Sequence, residues 1–438
     1  MSDRRVWRNW GGTESVIPER VVRPCGRDEI AAVIAQARAD GSTVKPVGSG
    51  HSFSAVAVAP GIQLDMSAMR GLVAVDTEAM QVTLRAGTTL QQIPGLLAPH
   101  GLAMANLGDV DAQTISGATS TGTHGTGVRF GGISTQIVGL TLVTGTGEVR
   151  TVDSGQSQLL SAAALGLGAL GVITEITLQC VPAFALQAIE RPEPVDKVIE
   201  SFLDNVEAHD HHEFFWFPHT GYALTKTNTR MPIDTHRSGP GKLRRYVDDD
   251  LVSNHLFGAM CALGARFPAV VPKFNSLAGN VLSARTYTDT STRVFVSARN
   301  VRFREMEYAI PLERVPQALG EIRRVIETRG HRVSFPIEVR AAAADDLMLS
   351  TASGRKSGYI AVHRYHGDPQ DQYFDDVERI MVAHDGRPHW GKMHTQSSAQ
   401  LRPVYPRFDE FLSVREELDP DGVFENPYLA KVFGSGDQ

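Results

Sequence analysis

Cysteine is scarce in this chain: three among 438 residues, at Cys25, Cys180 and Cys261. Sites so far apart form neither a metal-binding spacing nor a disulfide framework, and such usage suits a reducing compartment, the cytoplasm. Long apolar runs are lacking as well. Nothing extends for about 18 apolar residues without interruption, and the opening MSDRRVWRNWGG carries no apolar core of the signal-peptide kind. The strongest candidate for a span, Leu256 to Phe274, contains Arg266, Pro268, Pro272 and Lys273, so it reads as a buried or interfacial helix with a break. At most it predicts weak peripheral contact with a membrane surface. Positive charge is not in excess: 43 Lys and Arg against 49 Asp and Glu give a net charge of -6. No basic stripe follows a phosphate backbone, which argues against a nucleic-acid partner.

What is present is a globular composition, 42% hydrophobic, long enough for two or three domains. In RDEIAAVIAQARA, Ile30, Val33, Ile34 and Ala37 recur at helical spacing, and Gly41 follows as a stop. Strands are expected at Ile62 to Met66, Leu72 to Asp76, Gln81 to Gly87, Val138 to Thr144, Glu148 to Asp153 and Gly171 to Gln179, with a helix near Leu90 to Leu97. The texture changes around Pro182. Beyond it EFFWFP (Glu213 to Pro218) leads to a polar loop, Ser238 to Asp250. From Glu305 the order is strand (Glu305 to Pro311), helix (Leu312 to Thr328), strand (Val333 to Arg340), strand (Tyr359 to Tyr365), helix (Gln372 to His384) and strand (His389 to His394). The pattern predicts an α+β fold whose second half is an antiparallel sheet covered by helices.

Two loops rich in glycine and small hydroxyl residues stand out, GSGHS (Gly48 to Ser52) and GATSTGTHGTG (Gly117 to Gly127). Each is either an ordinary turn or a nest in which main-chain N–H groups converge on an anion such as a pyrophosphate. Two of them, each with an embedded histidine, favour a long cofactor. GLGALG (Gly166 to Gly171) matches the GxGxxG of nicotinamide-binding folds, but that motif should follow a strand and open a helix, and here the order is inverted. HDHHE (His209 to Glu213) has the residue types of a metal site, yet its position after a helix favours a solvated loop; no metal is expected.

Period-2 alternation in SFPIEVR puts Glu338 and Arg340 on one face, opposite Ile337 and Val339. They are either an exposed ion pair or an acid and a base that share a task. The same rule applied to PHWGKMH groups Trp390, Lys392 and His394, with His389 and Gly391 opposite.

Taken together, KPVGSGHSF, STGTHGTG, GALGVITEITLQ, MEYAIP, IEVR, HWGKMH and LDPDGVFENPYL, in that order over nearly the whole chain, resemble the aldonolactone oxidoreductases. These are sugar-1,4-lactone oxidases and dehydrogenases within the vanillyl-alcohol-oxidase type of FAD enzymes, close to alditol oxidases. The resemblance implies a two-part FAD-binding domain over residues 1–182, a substrate or cap domain over 183–415, and a C-terminal segment, 416–438, returning to the flavin. It implies FAD bonded covalently to His51, with Val47, Gly48, Ser49, Gly50 and Ser52 at the pyrophosphate. Gly117, Thr121, Gly122, His124 and Gly125 would flank ribityl, phosphate and ring, Ile173 would meet the adenosine part, and Asn426 and Tyr428 would come back to the flavin.

By the same resemblance a carbon bearing a hydroxyl gives a hydride to flavin N5, and Arg340 and Lys392 line the site where charge develops. Glu338 would position substrate hydroxyls, and His363 would contact the sugar or stand as a satisfied core histidine. The implied substrate is a gulono-, galactono- or arabinono-1,4-lactone, with O2 or another acceptor taking the electrons. An alditol such as xylitol is the alternative on the same fold, and a nicotinamide-dependent dehydrogenase a remote one.

Overall fold

The computed structural model describes residues 5–238, 257–275, 284–297 and 301–434. The first expected helix runs Arg27–Asp40 and buries Ile30, Ile34 and Ala37; Gly41, at φ 66°, turns its N–H back onto the carbonyls of Ala37 and Arg38. It packs beside a three-stranded parallel sheet ordered Arg20–Val22, Ile62–Asp65, Val44–Val47. Next to this lies a five-stranded antiparallel sheet: Val149–Asp153, Ile137–Val143, Val172–Gln179, Gln81–Arg85, Leu72–Asp76. GLGALG sits between the helix Ser157–Ala163 and the strand Val172–Gln179, the inverse of a nicotinamide fingerprint.

From Phe184 onward the strands belong to an eight-stranded sheet in which each pairing is antiparallel. Its order is Arg285–Thr290, Phe184–Pro194, Tyr222–Pro232, His211–Trp216, Ile337–Ala342, Ser357–Tyr365, Phe303–Pro311, Arg387–Pro388. The helix Val315–Arg329 covers one face with Val315, Ala318, Leu319, Ile322 and Ile326, at the three- and four-residue spacing of an apolar stripe, and the helix Tyr373–Ala383 packs beside it. The opposite face looks toward the glycine-rich loops. The apolar segment forms the helix Phe257–Arg266, breaks at Phe267, and resumes as a short turn at Pro268–Val270 with Leu263 and Phe267 exposed. Among the described residues no helix is long and apolar enough to cross a membrane. Apart from Ser238, the polar loop expected over Ser238 to Asp250 lies outside the described residues.

Two expectations fail here. His209 to Glu213 is not a solvated loop: the inner strand starts at His211, and His211, His212 and Glu213 are all buried. The imidazoles enter the core because they pack as aromatic rings, His211 stacked on Phe130 with centroids 4.7 Å apart and His212 beside Phe202. The strand expected over His389 to His394 also fails. Pairing stops at Arg387–Pro388, and a turn in which Lys392 donates its N–H to the His389 carbonyl (2.9 Å) swings the rest away. Trp390 therefore packs on Tyr405 and donates to the Leu349 carbonyl (2.7 Å).

Burial pushes both His211 and His212 down to about 4. An unfolded histidine takes up its proton near 6.5, about 2.5 units higher, so between these values the unfolded state binds more protons and stability is lost as the pH falls. His212→Asn, which cannot titrate, should make the loss of unfolding free energy between pH 6.5 and 4 shallower by about 2 kcal/mol, as read from denaturation curves taken across that range.

Candidate active site

The loop Gly48 to Ser52 crosses over the short helix Ile115–Ser120, whose first turn is capped by Thr114 accepting the Gly117 N–H. A Cβ on Gly48 would lie 2.2 Å from Thr114 Oγ1, so only glycine allows this approach. Beneath the crossing runs a narrow cavity of about 80 Å³ lined mostly by glycines and small residues, among them Gly48, Ser49, Gly50, Ser52, Gly117, Thr121, Gly168 and Gly171, with Lys45, Met66 and Ile173 as larger side chains. It meets a chamber of about 530 Å³ at His51, Ser52, Gln113 and Thr121. His51 stands at the junction.

The chamber is walled on the far side by the eight-stranded sheet. Glu338 and Arg340 share a face, as alternation requires, and the Arg340 guanidinium bonds Glu338 directly. They are not an exposed pair, being 6% and 7% accessible. Arg340 also donates Nε–H to Glu213 (2.7 Å) and faces Asp109 at 3.6 Å. Burial alone would lower its pKa; Glu338, Glu213 and Asp109 together hold it well above the usual value.

Two strands along the sheet, on Phe303–Pro311, Glu305 bonds the Lys392 ammonium and lies 3.5 Å from His363 Nε2. Burial would raise the Glu305 carboxyl, but Lys392 and His363 hold it well below its ordinary range. His363 gives its other nitrogen to the Pro336 carbonyl (3.0 Å), so both nitrogens face protein oxygens. Two residues on, Glu307 is pushed down to about 2: burial opposes this, and the His124 imidazole at 3.2 Å outweighs it. His124 stacks on Tyr359 with centroids 3.7 Å apart and bonds the Gly125 carbonyl.

His124, Glu307 and His389 lie close enough to share a metal ion. His389 Nδ1, however, accepts the Gly391 N–H (3.0 Å), which leaves the proton on Nε2, the nitrogen a ligand would need bare. Burial keeps this ring neutral, with a pKa of about 4. The three are better described as a hydrogen-bonded group.

Of the residues expected at a cofactor, Gly48, Ser49, Gly50, His51, Ser52, Gly117, Thr121 and Ile173 line the narrow cavity and His124 lines the chamber. Val47, Gly122, Gly125, Asn426 and Tyr428 line neither. Val47 is buried in its strand and Gly122 supplies a turn at φ 81°. A Cβ on Gly125 would meet the Leu107 carbonyl at 2.3 Å. Asn426 donates to the carbonyls of Ala55, Val56 and Val58 and caps the helix Pro427–Phe433, while the Tyr428 hydroxyl bonds His394 and the Trp390 carbonyl. Both brace the wall from behind. Glu338, Arg340, Lys392 and His363 all line the chamber, joined there by Glu305, Glu307, Asp109 and His389. Alternation in EMEYAIP contained the signal for Glu305 and Glu307; Glu213 was hidden by the misread HDHHE.

A long cofactor with a diphosphate at its waist fits these walls: main-chain groups and glycines along the narrow part, with polar side chains where a ring system would lie. Residues 18–153 match the FAD binding domain family, and residues 176–432 match the D-arabinono-1,4-lactone oxidase family. An L-gulono-1,4-lactone dehydrogenase of Mycobacterium tuberculosis is 44% identical over 98% of this chain and 99% of its own length. For L-gulonolactone oxidase of Bos taurus the identity is 34%, over 98% of both chains; for alditol oxidase of a Streptomyces species it is 27%, over 96% and 97%. Among solved structures, a solvent-stable cholesterol oxidase superposes with a TM-score of 0.82 at 20% identity, covering 97% of each chain, and so shares the fold. Glycine-walled groove, charged chamber and matches along almost the full length agree, and the chain belongs to the D-arabinono-1,4-lactone oxidase family of FAD-dependent oxidoreductases.

Proposed function

We propose that this chain oxidises a CH–OH group of a sugar-1,4-lactone of the gulono, galactono or arabinono type, using FAD bonded to His51. The observation that carries the reading is that Arg340 and Lys392, two cations each held by buried carboxylates, line the chamber onto which His51 opens. Residues 1–182 would hold the cofactor, 183–415 the lactone, and 416–438 would support the cofactor loop.

Bound FAD supplies the two-electron acceptor. Arg340 presents a planar set of donors suited to the vicinal oxygens of a sugar ring, and its bonds to Glu213 and Glu338 fix the plane before substrate arrives. Glu338 accepts the hydrogen bond of the reacting hydroxyl, along which that proton leaves as the carbon loses hydride. Lys392 keeps its charge in the buried chamber because Glu305 and Glu307 raise its pKa against the effect of burial. Its charge stands ready where negative charge accumulates.

His51 suits the covalent role. Burial, and then the charge of Lys392, lowers its pKa, so the ring is neutral and a nitrogen lone pair is available. There it would hold the flavin through a nitrogen–carbon bond, whose formation would release two protons and two electrons, the electrons going to the acceptor that the reaction already uses.

Acid precipitation of the purified protein should leave flavin absorbance on the pellet, and His51→Ala should release it to the supernatant; free flavin from the unmutated chain removes the bond and leaves the fold assignment intact. Arg340→Met should lower kcat/KM for a sugar-1,4-lactone about 1000-fold in steady-state assays. Turnover of alditols with none of any lactone would overturn the substrate assignment.

A further inference from the structure

The loop that carries His51 owes little of its shape to its own residues. Gly50 is at φ 67° and Gly48 is an approach glycine, so the segment is intrinsically loose. What fixes it is a stretch forty residues earlier, Trp7 to Thr13, turned back by the small hairpin Trp7–Arg8 with Ser15–Val16.

Four contacts tie the two segments. Trp10 donates its N–H to the Gly50 carbonyl (2.8 Å). Asn9, 4% accessible, donates from its amide to the Ser52 carbonyl (2.9 Å), and Thr13 donates its hydroxyl to the Phe53 carbonyl (2.8 Å). The Trp10 indole lies on the His51 imidazole, ring centroids 5.5 Å apart and planes 18° from parallel, inside offset-stacking range. The carbonyls on both sides of His51 are thus claimed by one segment, and its ring is backed by that segment's largest side chain. Trp10 is itself held edge-on by Phe53 and Phe303, and a Cβ on Gly11 would strike the Phe53 ring at 2.8 Å. On its other side, Phe53 donates its N–H to the Gly391 carbonyl (2.7 Å).

A nitrogen that must reach one carbon along one direction loses rate steeply when its ring can swing. We infer that Trp7 to Thr13 is a splint whose task is to hold the His51 imidazole in the attitude needed for attachment, with Trp10 as the positioning residue. The inference rests on the covalent reading above. No residue of the splint walls the narrow cavity, and Trp10 meets the chamber beside His51.

The test compares the full-length parent with Trp10→Ala, Trp10→Phe and Thr13→Val by two readouts: total flavin on the native protein, and flavin staying with the chain after acid precipitation. Trp10→Ala should keep total flavin within about twofold while its chain-bound share falls about tenfold or more, and Trp10→Phe should restore most of that share. Thr13→Val should fall between them. A full chain-bound share in Trp10→Ala overturns the splint and leaves the His51 bond standing. Loss of total and chain-bound flavin in equal proportion, in Trp10→Ala and Thr13→Val alike, also overturns it, because the segment would then serve folding or binding. A parent that yields all its flavin to the supernatant overturns the covalent reading together with the inference.

Discussion

An arginine taken out of water must be met by opposite charge, since an uncompensated buried ion costs several kcal/mol; Arg340 imposes this constraint on the eight-stranded sheet. Its partners come from adjacent strands. Glu338 shares its strand, Glu213 comes from the next, and Lys226, directly opposite Glu213 in the register, lies 3.5 Å from that carboxylate. On the other side the pattern repeats: Glu305 stands opposite His363 and reaches Lys392. Five neighbouring strands therefore each turn ionisable side chains to one face, in cross-strand pairs that stabilise the pleat as they order the charges. Removing any one member would weaken the compensation of the buried charges that it faces.

The alternation of a strand made part of this legible. Glu338 and Arg340 were placed on one face because the period of two survives burial, and EMEYAIP carries Glu305 and Glu307 by the same rule. Glu213 was not legible, because two histidines before it look polar in sequence and behave as stacked rings in the core. Lys392 was found by resemblance, while its local geometry was misread: a turn at His389 to Lys392, set by main-chain bonds, interrupted a pattern that looked like a strand. The first glycine loop was readable as a loop, whereas the second opens inside the helix Ile115–Ser120, and which of their residues face the cavity depended on crossings between distant segments. Gly122 and Gly125 line neither cavity and shape the turn and the close chain approach there, while Asn426 and Tyr428 bond main-chain carbonyls of Ala55 to Val58 and of Trp390.

The two halves of the cavity are built on different principles. Along the narrow part most of the lining is glycine and small residues, whereas the chamber is lined chiefly by charged, polar and aromatic side chains. A fold shared with cholesterol oxidases at 17% and 20% identity fits this division, because a common framework can be kept while the chamber is refitted for a different molecule.

The loop that carries His51 is gripped at both flanks by segments remote from it in sequence. Asn9, Trp10 and Thr13 fasten residues 50 to 53, and Asn426 fastens residues 55 to 58. One clasp lies 40 residues before the loop and the other 371 residues after it, so the loop takes its shape only when both distant segments have folded against it, a long-range requirement that weighs on folding rate more than on stability.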